Sequence, residues 1–315
     1  MLGFRDPLVL SPMVDVTDAA FRSVAKDWGA DITCSEMVSA VGLVHDNPKT
    51  WRLVQPWTNE APYGVQIMGG DPEEMAKAVS VVCERVQPDF VDLNLGCPSP
   101  NILRSCAGGF LLRDPKHAGR VIQAAVDAAG NTPVSVKMRT GHDLEHLTYL
   151  QVGEEAEAAG AAWTTLHGRT VVQGYSGKAD WNHIAALVDH LSIPVIGNGD
   201  LQSGADVKRM QEETQCEGFF IARAAMHDPT IFTRMRAELN GEAVPESPGL
   251  GERLATFWTY VERAKTIGIE HMGDYRRQGT RFVSGAPGAK RIRAALHECQ
   301  SFEDLEALVN ANRGE

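Results

Sequence analysis

The residues best able to do chemistry stand at the ends of short apolar runs. Asn94-Leu95-Gly96-Cys97-Pro98 sets a thiol between a glycine and a proline, directly after a run of strand-forming residues. A cysteine in such a loop is either a reactive thiol or a small buried hydrophobe. Lys137 interrupts the run Val134-Ser135-Val136-Lys137-Met138, with Arg139 just beyond. A lysine is almost never fully buried without a partner, so Lys137 is either functional or a snorkelling edge residue. His167 closes another run before Gly168-Arg169-Thr170, as a working imidazole or a hydrogen-bonded core histidine. Gly197-Asn198-Gly199-Asp200 is either a tight turn or a backbone cradle for phosphate. Ala222-Arg223 on the next loop then supplies a cation to that phosphate or forms a surface salt bridge. Gln66 lies inside a further run, and Ser11-Pro12-Met13 follows the first. These residue types describe a site with a phosphate-bearing cofactor, a central lysine and one exposed loop thiol. No GxSxG, HExxH or Walker pattern competes, and the His and Cys residues lack metal-ligand spacing, so no metal is expected.

The elements that must position these side chains are legible as an alternation. Eight apolar, β-branched runs at 8–11, 32–38, 63–68, 90–95, 134–138, 164–167, 195–197 and 218–221 read as strands. Ala-rich amphipathic stretches between them, such as 72–86, 115–129, 181–191 and 205–214, read as helices. Asp71-Pro72-Glu73-Glu74 carries a helix start: a capping carboxylate, then proline where its missing N–H does no harm, then glutamate at the third position. Continuous apolar strands alternating with helices imply parallel strands buried on both faces. Eight such units within residues 1–240 match an α/β (β/α)8 TIM barrel, whose usual size is about 250 residues. A doubly wound sheet fits less well because no GxGxxG follows the first strand. In this barrel type, function gathers at the C-terminal ends of the strands, where the polar residues above fall. Asn240-Gly241 and the Pro- and Gly-rich stretch to residue 251 read as a linker (241–251). Residues 252–315 then form a small helical domain, with helices at 252–267 and 301–310.

Composition narrows the class. Hydrophobic residues make up 43% and charged residues 23% of 315, an ordinary globular balance. No apolar run approaches the roughly 20 residues needed to cross a bilayer, and the N-terminus lacks a signal-peptide pattern. Six cysteines without a CxxC pair fit a reduced, cytoplasmic enzyme rather than a disulfide scaffold. The net charge of −11 argues against nucleic acid as a partner, but the charge is uneven. Between Tyr275 and His297 there is no acid, and there are six bases: Arg276, Arg277, Arg281, Lys290, Arg291 and Arg293. This segment is either a grip for a polyanion or a solvated helix face.

Ser11-Pro12-Met13, NLGCP at 94–98, AGGFLL at 107–112, VSVKMRTG at 134–141, LHGRT at 166–170, YSGKADW at 175–181, PVIGNGD at 194–200 and IARAAMHDP at 221–229 occur in this order. The set resembles the tRNA-dihydrouridine synthases over most of residues 8–230. The resemblance implies an FMN-dependent enzyme that uses NADPH to saturate the C5–C6 bond of selected uridines in tRNA. It implies that Pro12, Met13 and Val14 support the flavin and that Gln66 and Lys137 contact its ring. His167, Asn198, Gly199, Asp200, Ala222 and Arg223 would hold the ribityl phosphate end. Asn94 and Arg139 would face the target base, and Cys97 would be the catalytic acid. An ordinary thiol titrates at about 8.5 and is mostly protonated at neutral pH, which suits proton donation to C5. Arg276, Arg277 and Arg281 would contact tRNA phosphates. The chain departs from the family at Ala222, where Gly-Arg is usual, and at Arg276-Arg277-Gln278, where Arg-Lys-His is common. The alternatives are an FMN oxidoreductase acting on a small pyrimidine, for which the basic segment has no purpose, and a non-catalytic RNA-binding module, against which Cys97 and Lys137 argue. The expected partner is tRNA, with no membrane or protein partner, and the chain is expected to be monomeric.

Overall fold

The computed structural model describes residues 3–314. Eight parallel strands form the barrel: β1 Leu8–Leu10, β2 Thr33–Cys34, β3 Tyr63–Met68, β4 Phe90–Leu95, β5 Val134–Arg139, β6 Trp163–His167, β7 Val195–Asn198 and β8 Gly218–Ile221. They pair in the order β1-β8-β7-β6-β5-β4-β3-β2. A bridge from Val9 to Ile32 and a 3.0 Å bond from the Leu10 N–H to the Ile32 carbonyl bring β1 back to β2. One or more helices follow each strand, so the (β/α)8 expectation holds.

Alternate strand residues point in opposite directions, and in this barrel the two faces differ in kind. Val91, Leu93 and Leu95 of β4, and Val134, Val136 and Met138 of β5, join the large core beneath the helices. The intervening Asp92, Asn94, Ser135, Lys137 and Arg139 face the barrel interior. At the bottom of that interior Val9, Ile32, Phe90, Trp163, Ile196 and Phe220 form a separate apolar plug. The Phe90 and Trp163 rings lie 5.1 Å apart within it. Gly64 leaves the space that Phe90 fills, since a Cβ there would sit 2.2 Å from the ring. The plug closes one end, so the polar inward residues above it open only at the strands' C-terminal end.

Among the outer helices, α1 Ala19–Asp27 follows β1, α2 Pro72–Arg85 follows β3 and α3 Pro115–Ala129 follows β4. Asp71 caps α2 by accepting the Glu74 N–H, with Pro72 in the first turn, as the sequence predicts. The second strand is shorter than expected. Beyond the Ile32 bridge to β1, the run 32–38 pairs with β3 at Thr33–Cys34 and again at Val38–Ser39. Between these, the Ser35 hydroxyl oxygen takes the Gln66 N–H at 3.0 Å, in place of a strand carbonyl. The Glu36 carboxylate turns away to accept the Asp15 N–H at 2.7 Å. A side chain that replaces the backbone acceptor lets the strand leave the ladder.

Four further helices complete the chain: α4 Leu250–Thr266, α5 Met272–Phe282, α6 Ala289–Glu298 and α7 Phe302–Asn312. Ser301 caps α7 through a reciprocal pair with Asp304. These helices dock on α1 and the loop before it. The Tyr260 hydroxyl donates to Asp18 at 3.0 Å, and Arg263 donates to Ser23 and Asp27. Phe21 and Phe282 pack edge to face at 5.8 Å. The basic segment 275–297 spans most of α5, the turn after it and most of α6.

Candidate active site

The strand ends surround a cleft of about 810 Å³, within the size range of small-molecule sites. Pro12, Met13, Val14, Gln66, Asn94, Cys97, Lys137, Arg139, His167, Asn198, Gly199, Asp200, Ala222 and Arg223 all line it. Arg281 reaches it from α5. Arg276 and Arg277 do not. Arg276 donates through Nε and Nη2 to the Cys299 carbonyl at the end of α6, and Arg277 pairs with Asp274 at 2.5 Å.

At one side of the cleft a chain of hydrogen bonds climbs from the barrel interior to the thiol loop. Asp92, fully buried, accepts from Ser135 Oγ and from Gln66 Nε2, each at 2.6 Å. Asn94 Nδ2 donates to Gln66 Oε1 at 2.9 Å. Asn94 Oδ1 then accepts the N–H of Gly96 at 3.1 Å and that of Cys97 at 2.9 Å. Arg139 closes the loop from the other side. Its Nε donates to the Gly96 carbonyl at 2.9 Å, and its Nη1 reaches the Thr170 and Gly174 carbonyls. Loss of solvation pushes the Asp92 carboxyl up to about 6, against the Ser135 and Gln66 hydrogen bonds. Lys137 lies beside Asn94 in the sheet register. Its ammonium is held down at about 8, first by poor solvation and then by Arg139, with Asp92 opposing.

The other side is built on cations. Arg169, 2% exposed, donates to both Asp200 oxygens at 2.9 and 2.8 Å and to the Ser176 and Gly177 carbonyls. Arg223 donates to Asp200 at 2.6 Å, and the Ala179 N–H donates to the same carboxylate at 2.8 Å. Burial alone would raise the Asp200 pKa, but the Ala179 N–H and the two guanidiniums outweigh it and hold the carboxyl below its ordinary value. Gly199 has φ of +118°, and a Cβ there would meet Ala179 at 2.7 Å and the His167 ring at 2.9 Å. Only glycine serves at this turn. His167 is kept neutral, first by burial and then by Arg139, Lys137, Arg169 and Arg223. Arg169 Nη1 lies 3.2 Å from its Nε2. A guanidinium only donates, so Nε2 accepts and the proton sits on Nδ1. Ala222 has φ of −115°, so the methyl that replaces the family's usual hydrogen meets no left-handed strain.

Three residues of the site escape sequence reading. Asp92 is signalled only as a lone carboxylate inside an apolar strand. Arg169 sits in the LHGRT run at 166–170, where sequence alone gives it no role. Tyr175, 64% exposed at the cleft mouth, lies 5.6 Å from the Arg139 guanidinium and 5.7 Å from that of Arg223. Among the described residues no acidic, His or Cys cluster could hold a metal ion. None of their helices is long and apolar enough to cross a membrane.

The dihydrouridine synthase (Dus) family matches residues 9–313 of the chain. A probable tRNA-dihydrouridine synthase of Treponema pallidum (strain Nichols) is 35% identical over 98% of this chain and 93% of its own. One from Aquifex aeolicus (strain VF5) is 33% identical over 96% of this chain and 94% of its own. Among solved structures, histamine dehydrogenase from Rhizobium sp. 4-9 superposes with a TM-score of 0.57 at 13% identity, over 81% of this chain and 48% of that one. That likeness is one of fold.

Proposed function

From the premise that the chain belongs to the dihydrouridine synthase family, we propose that it reduces the C5–C6 double bond of specific uridines in tRNA, with FMN held in the cleft and NADPH as reductant. The observation that carries this reading is the convergence of Cys97, Lys137 and Arg223 on one cleft whose rim includes a residue of the C-terminal helices, Arg281.

The residues present suit FMN. Arg223 offers a cation at one side of the cleft, beside the Asn198–Asp200 turn that lines it, as a phosphate requires. Pro12, Met13 and Val14 offer an apolar wall, with Val14 56% exposed. Gln66 and Lys137 offer polar groups for a heteroaromatic edge. Asn198 is held by its bond to the Phe220 carbonyl at 2.7 Å. Asp200 acts by aiming Arg223 rather than by meeting a phosphate, since two anions repel. When bound, the flavin supplies a hydride equivalent to C6 of the uracil.

The protein's own part is to hold the base and to manage charge and protons. Negative charge develops on C5 and on the C4 carbonyl. Cys97, on a loop fixed through both its N–H and the preceding carbonyl, donates the proton to C5. Lys137, charged at neutral pH and below about 8, stabilises negative charge in the cleft without reorganisation. His167, neutral with its proton on Nδ1, offers a hydrogen-bond donor rather than a competing cation. Arg139 spends three hydrogen bonds on loop carbonyls, so it shapes the pocket for the base as well as facing it. Arg281 donates to the Asp15 carbonyl at 2.5 Å and links the wall of the cleft to the helices that would meet the RNA. Reaching a uridine in a folded tRNA requires that the base be extruded into the cleft.

The test is incubation of the purified protein with NADPH and unmodified tRNA, followed by digestion and mass spectrometry. A nucleoside carrying two more hydrogens than uridine is expected, and mapping it identifies the position. Yellow, NADPH-reducible protein that leaves tRNA unchanged would overturn the substrate. Colourless protein that cannot be reloaded with FMN would overturn the cofactor.

A further inference from the structure

We propose that Asp92 is a positioning residue: it sets the donor–acceptor direction of the Gln66–Asn94 relay and so holds the Cys97 loop in place. The relevance to catalysis rests on the role of Cys97 proposed above, but the geometry stands on its own.

The relay has two fixed ends. At the bottom, Asp92 faces two donors, Ser135 Oγ and Gln66 Nε2. At the top, the Gly96 and Cys97 N–H groups can only donate. Between them stand two amides, each with one carbonyl and one NH2. If Gln66 gives its NH2 to Asp92, its carbonyl must face Asn94, which gives its NH2 and keeps its carbonyl for the loop. The observed distances of 2.6, 2.9, 3.1 and 2.9 Å follow this order without a mismatch. Both amides therefore have their one acceptor engaged, and the hydrogens left over are donors. A carbonyl oxygen is the group such a pair receives best.

Removing the acceptor at the bottom frustrates the chain. Gln66, 1% exposed, either keeps its direction with a buried NH2 unpaired, or turns and confronts the NH2 of Asn94 donor to donor. If Asn94 turns as well, the two loop N–H groups lose their acceptor. Asp92→Asn alone escapes this. The introduced amide can keep its carbonyl toward Gln66 and give its NH2 to Ser135, whose hydroxyl can rotate to accept. Ser135→Ala alone also escapes, because Asp92 still accepts from Gln66. Only the double variant D92N/S135A leaves the new NH2 without an acceptor except by reversing the relay. The two substitutions are thus expected to be non-additive.

The readout is the alkylation rate of Cys97 by iodoacetamide in the purified protein, taken by mass spectrometry as a ratio to Cys106, which is exposed and lies outside the relay. Each single variant is expected to keep the ratio within about twofold of the parent. The double is expected to raise it about tenfold, as the loop loses anchoring hydrogen bonds. A double that equals the product of the singles would overturn the proposal. If the double does not fold, Asp92→Leu, which offers no acceptor at all, is expected to give the same rise, and an unchanged ratio there would overturn it. A second readout is the basic limb of the pH–rate profile. Lys137 is faced by Asp92, Arg139, Cys97, Cys34 and His167, and D92N removes the one carboxylate among them. That limb is expected to move to lower pH, which a purely structural role for Asp92 would not cause. The alkylation ratio needs neither flavin nor RNA, so a failure of the relay is distinguishable from a failure of the proposed reaction.

Discussion

Two aspartates anchor opposite sides of the cleft, and they do different work. Asp200 is partly exposed and faces two guanidiniums and a backbone N–H. Asp92 is fully buried and takes its hydrogen bonds from a hydroxyl and an amide, with Lys137 acting on it only through its charge. The first has its pKa lowered and the second has it raised to about 6. Among cations, a carboxylate is a counter-ion that fixes where positive charge points, here Arg223. Among neutral dipoles, it is an acceptor that fixes which way each dipole points, here Gln66 and Asn94. The cation side is suited to binding an anion, and the amide side to holding a reactive loop.

If that division holds, changes on the amide side should cost rate and changes on the cation side should cost affinity and stability. The largest effect is expected from Cys97→Ala. It should lower dihydrouridine formation by about 10² to 10⁴, the usual value of a positioned general acid, with folding and FMN content retained; full activity would remove Cys97 from the reaction. Asp200→Ala comes next. It leaves the guanidinium of buried Arg169 without its carboxylate, a loss of about 3 kcal/mol, read by urea unfolding, and FMN affinity should weaken with it. Unchanged stability would show that the two aspartates are not distinct in kind.

Lys137→Met sharpens the contrast through pH. The folded protein holds the Lys137 proton less firmly than the unfolded chain, since its pKa is depressed to about 8. At this site the unfolded state therefore binds more protons between about pH 8 and the ordinary lysine value of about 10.4, so Lys137 contributes a rise of stability with pH across that window, set against the opposite contribution of buried Cys34 and Tyr63. The variant should lose this rise, and a parent-like slope would show that Lys137 is not the group responsible. The smallest effect is expected at Arg277, exposed and paired with Asp274. Arg277→Ala should weaken tRNA binding a few-fold and reduce the salt slope of binding by about one. Arg276→Ala should instead act on folding, because its guanidinium is spent on the Cys299 carbonyl. Equal effects of the two variants on the salt slope would count against this separation.

The barrel is legible because its strands are buried on both faces, so each reads as an apolar run between amphipathic helices. Seven of the eight runs form strands within a residue or so of the expected bounds. The eighth, 32–38, breaks because Ser35 and Glu36 find partners on β3 and on the loop after β1, neither of which is near in sequence. Cys97, Lys137, His167 and Gly199 stand out as polar, reactive or flexible residues where an apolar strand ends. Asp92 and Arg169 do not, because their meaning lies in what they touch. A lone acid within an apolar strand has no reading until Gln66 and Ser135 arrive from neighbouring strands.

The sequence by itself determined the alternation of strand and helix, the strand ends on which chemistry is carried, and the family. These are local or pattern properties, written in side-chain type and spacing. Tertiary structure alone decided which polar strand residues face inward together, that Arg281 reaches the cleft while Arg276 does not, and which way the amides point. Those depend on barrel closure and on hydrogen bonds between residues tens to hundreds of positions apart, and a hydrogen-bond partner is chosen by geometry in space rather than by neighbours along the chain.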